Sequence, residues 1–156
     1  MNKFLVHEEF WDHLPELNAN DIANNTDFLK SENRSSAIFP IFRDGSTKTK
    51  ILLLSYWLKK HGNNVIFSIT VRDILGDILQ QLYVPLVELK ALSYTVSDLF
   101  SDCKDGFCGS VEIEIFSKNK PSFNYPAISV AFENNESCSV VHSCIRSYNV
   151  GEKNSD

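Results

Sequence analysis

At 156 residues the chain has the length of one ordinary domain. It is 43% hydrophobic and 12% aromatic, enough to fill a core, which excludes a disordered acidic chain. Residues 1–50 carry 6 basic and 8 acidic side chains and the remainder 9 and 12. Neither part therefore offers the positive field that nucleic acid or an anionic membrane surface requires.

No stretch approaches the roughly 20 apolar residues of a membrane-spanning helix. The longest run, Ile51 to Leu58, is interrupted by Ser55 and followed by Lys59 and Lys60. Near the start, His7, Glu8 and Glu9 cut off Phe4-Leu5-Val6, too short for an export signal. A cytoplasmic protein with its four cysteines (Cys103, Cys108, Cys138, Cys144) as thiols is the expectation.

Residues 1–35 are polar and Asn-rich and read as an N-terminal arm. Val6, Phe10, Leu14 and Leu17 recur at helical spacing beside Trp11, and Pro15 ends or kinks that helix. Such an arm either docks on the domain or serves as a partner-binding helix.

From Ser36 the texture is that of strands, and residues 36–149 are expected to form one domain. Val65, Phe67, Ile69 and Val71 alternate with Ser68, Thr70 and Arg72, the pattern of a half-buried strand. The turn-rich segment 59–64 precedes it, so Lys50 to Leu58, with Trp57, is expected to be its hairpin partner. A helix is the competitor there, since Ile51, Leu54, Ser55 and Leu58 also share one helical face.

Asp73 to Asp77 reads as a turn leading to a strand over 78–84, which Pro85 ends or marks as an edge. Val87 to Val96 is a further candidate strand, and Ser101 to Gly109 a loop. In Ser110 to Ser117, Val111, Ile113 and Ile115 face a core while Glu112 and Glu114 face outward. Ile128, Val130 and Phe132 repeat the pattern, and Cys138 to Tyr148 closes the series before a polar tail, 150–156. Seven or eight short strands separated by turn clusters, with no βαβ alternation, predict an all-β antiparallel fold. A β-sandwich or jelly-roll-like barrel with a short helical arm is the expected form.

The chemistry is less legible. No phosphate-binding loop, Gly-x-Ser-x-Gly or His-Glu-x-x-His motif is present, and no cofactor is expected. Alternation puts Cys138, His142, Cys144 and Arg146 on one face of the last strand. A thiol beside an imidazole is the pairing that nucleophilic catalysis uses. Cys138, His142 and Cys144 are also soft ligands of the kind zinc prefers, although their spacing is not that of a finger or ribbon.

Glu112 and Glu114 match the separation of paired catalytic carboxylates, but on a solvated face they are expected to serve solvation or a cross-strand ion pair with His142 or Arg146. Phe123 and Tyr125, between Pro121 and Pro126, resemble the rim of a sugar- or peptide-binding surface. The expectation is a non-catalytic binding or assembly module. Its partner would be a protein, a second copy of itself or a small polar ligand, carbohydrate included. A metal- or thiol-dependent site at Cys138, His142 and Cys144 is the alternative.

Overall fold

A long strand, β1 (Asn33–Arg43), sets the frame because it belongs to two neighbourhoods at once. In the computed structural model, which describes residues 7–30, 33–55, 58–59, 62, 64–118 and 128–143, β1 pairs with β6 (Phe107–Ser117) from Asn33↔Ser117 to Arg43↔Phe107. It meets β2 (Lys48–Leu53) at a single position, Arg43↔Lys48. Between them the Asp44 carboxylate accepts the Ser46 hydroxyl and the backbone N–H groups of Thr47 and Ser46, which hold it below its ordinary value of 3.8.

Beyond that turn β1 and β2 part. On one side β1 continues to β6, β3 (Val65–Asp73) and β4 (Ile78–Leu86). On the other β2 pairs with β5 (Leu92–Thr95) along one edge and with β7 (Ile128–Glu133) along the other, and β8 (Cys138–His142) follows β7. All eight described strands pair antiparallel, and the helices are short, so the class is all-β.

Alternation explains the core. Phe39, Ile41, Phe67, Ile69, Val111 and Ile113 from one group and Ile51, Leu53, Ile128 and Val130 from the other are buried in one apolar cluster. Phe42 stacks on Phe132 with ring centroids 5.1 Å apart, bridging the place where the two groups part.

The helical arm covers the outer face. It comprises α1 (His7–Asp12), a 3-10 turn (Leu14–Glu16), α2 (Ala19–Ala23) and α3 (Thr26–Lys30). Pro15 lies inside the 3-10 turn that ends the first helix. Asn18 and Asp21 form a capping box at the start of α2. Phe10, Trp11, Leu14, Leu17, Ile22 and Leu29 bury themselves against Ile66 and Phe116, the outward apolar side chains of β3 and β6. None of the described helices is long and apolar enough to cross a membrane.

Several elements depart from the sequence reading. Ser68 and Thr70 are as buried as their apolar neighbours, flanked in the sheet by β4 on one side and β6 on the other. Lys50 to Leu58 is not one strand and does not pair with β3. β2 ends at Leu53, and Lys59 N–H then donates to Ser55 O and Gly62 N–H to Leu58 O, the i→i−4 bonds of a helical turn. A helical turn at Leu58 and Lys59 thus replaces the strand at this end of the segment, while Leu54 stays exposed outside it. The strand expected over 87–96 shrinks to β5, because Thr95 and Asp98 form a capping box that starts α4 (Val96–Leu99). The loop before β6 is shorter than expected, since β6 begins at Phe107. Trp57 and the expected last strand beyond Ser143 lie outside the described residues.

Candidate functional site

β6 places the carboxylates. Its inward residues Val111, Ile113 and Ile115 are fully buried, which obliges Glu112, Glu114 and Phe116 to face outward toward the arm. Glu114 lies between Ser36 of β1 and Ser68 of β3, and Glu112 between Ile38 and Thr70. Both carboxylates are less wet than a solvated sheet face implies, with side chains 21% and 26% exposed.

Each has an arginine from a different neighbour. Arg34 of β1 approaches Glu114 at 3.4 Å, and Arg72 of β3 reaches Glu112 at 3.2 Å while also donating to Gly76 O. The Glu114 carboxyl is nonetheless held above its ordinary value of 4.5. Burial is the largest cause and the like charge of Glu112 adds to it, while Arg34 and Arg72 oppose both.

Beside Glu114 the arm does not close on the sheet. A recess of about 260 Å³ remains, walled by Thr26 and Leu29 of α3, Tyr83 of β4, Phe116 of β6, Ser68 of β3, and Arg34 with Glu114. Gln81 Nε2 donates to Ser68 Oγ and fixes that hydroxyl from behind. The recess thus joins one carboxylate, one guanidinium, three hydroxyl-bearing residues (Thr26, Ser68 and Tyr83) and two aromatic rings. Glu112 is not in its wall, so the two carboxylates do not flank a common ligand.

A smaller cavity of about 150 Å³ lies between Arg43, Lys48, Thr95 and Ser97. Its guanidinium is already engaged, donating to Ser97 Oγ and Cys103 O and paired with Asp105. That cavity is a structural junction between α4 and the first hairpin.

The expected ion pair between Glu112 or Glu114 and His142 does not form. β6 is flanked by β3 and β1, whereas β8 pairs with β7 with β1 and β2 in between. His142 Nδ1 lies 2.7 Å from Ser143 O, which makes that nitrogen the donor. Cys138 and His142 stand at opposite ends of β8, about 13 Å apart along an extended strand. β8 therefore does not bring these two together, and among the described residues no group of three His, Cys, Asp or Glu could hold a metal ion. Cys103, buried, and Cys108 and Cys138, exposed, are free thiols. Phe123, Tyr125, Cys144 and Arg146 lie outside the described residues. Sequence reasoning missed Arg34, Ser68 and Tyr83. Only the polar alternation of β3 pointed toward one of them.

Comparison with protein-family models, curated proteins and solved structures finds no match to this chain.

Proposed function

We propose that this chain is a non-catalytic binding module that takes a small, neutral, polyhydroxylated ligand of the monosaccharide class in the recess beneath α3. The observation that carries the reading is Glu114, half-buried in the wall of a cavity and loosely paired with Arg34. Together they present acceptors and donors whose charges cancel, so vicinal hydroxyls gain hydrogen bonds on both sides while an ion gains no net attraction. Tyr83 and Phe116 supply the apolar wall against which the C–H face of a sugar ring packs. A cavity of this volume, below the usual range for drug-sized ligands, suits a single ring. The absence of Glu112 from the wall favours binding over acid–base hydrolysis, which needs two carboxylates facing one bond.

Saturation-transfer NMR on the full chain with glucose, galactose, mannose and N-acetylglucosamine tests this. At least one sugar is expected to bind saturably. Glu114→Gln should weaken it by about tenfold, the loss of one charge-assisted hydrogen bond, and Glu112→Gln should leave it unchanged. No saturable binding to any of the four, or equal loss in both variants, would overturn the reading.

A further inference from the structure

Among the described strands, the path that runs from β4 to β8, with β5 beside it on β2, ends differently at its two sides. β4, at one end, carries Pro85 and has α2 of the arm packed on it. Proline and a covering element are two ordinary ways of blocking a sheet edge. β8, at the other end, reads Cys138-Ser139-Val140-Val141-His142, with no proline, lysine or acidic side chain, and its pairing with β7 has no bulge. Val140 on one face is 58% exposed and Val141 on the other is 46% exposed.

The hydrogen-bond phase of β8 is fixed at both ends. Asn134 N–H donates to Ser137 O at the turn, and Ser143 N–H donates to Ile128 O at the far end. With Phe132↔Ser139 and Val130↔Val141 in register between them, Ser139 and Val141 turn their backbone groups toward β7. The N–H and C=O groups of Cys138 and Val140 consequently point off the sheet.

We propose that β8 is a self-association edge, pairing antiparallel with the β8 of a second copy about a two-fold axis at Val140. The segment is complementary to itself in that register. Val140 opposes Val140, Cys138 opposes the His142 of the other copy, Ser139 opposes Val141, and no like charges meet. Val140 forms the reciprocal pair of backbone hydrogen bonds at the centre. One five-residue strand pair buries less than a permanent dimer interface needs, so association is weak and concentration-dependent.

Sedimentation of the full chain over about a hundredfold range of concentration should show a monomer–dimer equilibrium. Val140→Pro removes an N–H that β7 does not use and should give a monomer throughout, with an unchanged circular dichroism spectrum. Val140→Lys, which keeps the N–H, should weaken dimerisation by like-charge opposition at the axis and serves if the proline variant misfolds. In a Cys108→Ser, Cys138→Ser, Cys144→Ser background, Val140→Cys should form a disulfide-linked dimer under mild oxidation, since the facing Cα atoms of a hydrogen-bonded pair lie about 5.5 Å apart. Ser139→Cys in the same background should not. A wild-type chain that stays monomeric, a dimer that survives both Val140→Pro and Val140→Lys, or cross-linking through position 139 instead of 140 would each overturn the proposal.

Discussion

Gly109 shows how much one missing side chain can decide. It pairs with Asp73, and the chain of β3 crosses so close that a Cβ there would run into the carbonyl oxygen of Arg72 and lie 3.0 Å from the ring of Phe107. The backbone atom cannot swing aside as a flexible side chain would. Gly109→Ala is therefore expected to cost about 1–3 kcal/mol in chemical denaturation.

Glu114 makes a prediction of opposite sign. Because the folded chain raises its carboxyl above 4.5, ionisation weighs against the fold at neutral pH, and that cost disappears once the pH falls below 4.5. Glu114→Gln should raise the urea midpoint at neutral pH, and the gain should fade on acidification. Its partner Arg34 is 63% exposed, so the ion pair lost in the variant contributes little to stability. The outward direction of Glu112 and Glu114 was legible from alternation alone. The partial burial of Glu114 was not, because it sits beside Tyr83 and α3, elements distant in sequence whose approach no local period encodes.

Among the elements, the arm is the one whose sequence said most. Phe10, Leu14 and Leu17 recur at the spacing that buries one helical stripe, and all three are buried. What the spacing leaves open is the surface they meet, here Ile66 and Phe116. Leu14→Ala is expected to cost about 2–5 kcal/mol, read from urea midpoints. It should also weaken ligand uptake, since α3 is one wall of the recess. Asn18→Ala breaks the capping box of α2 and should cost about 1 kcal/mol in the same assay. Elsewhere two periods compete within one segment. Ile51 and Leu53 alternate as a strand, while Leu58 and Lys59 enter a helical turn. The chain changes from strand to helical turn within the segment, which a single assignment across it does not allow.

For the whole molecule, period two establishes that strands exist but does not order them. The turn before β3 looked like a hairpin, yet β3 pairs with β4 and β6, and β2 pairs with β5 and β7. The reason lies at Arg43↔Lys48, where β1 and β2 meet once and then diverge so that one core can be lined from both groups. That divergence carries β6 to the middle of one group, under the arm, and β8 to the outer edge of the other. Cys138 and His142, adjacent on paper to the carboxylates, are thereby removed from them.

The central claim is that Glu114 serves the recess while Glu112 serves only its arginine. The most direct measurement is a carbon-detected NMR titration of the glutamate carboxyl groups, with and without the sugar that binds. Glu114 is expected to titrate above 4.5 and to move when the sugar is added, while Glu112 holds still. A Glu114 resonance that titrates at or below 4.5 and ignores the sugar would contradict the account.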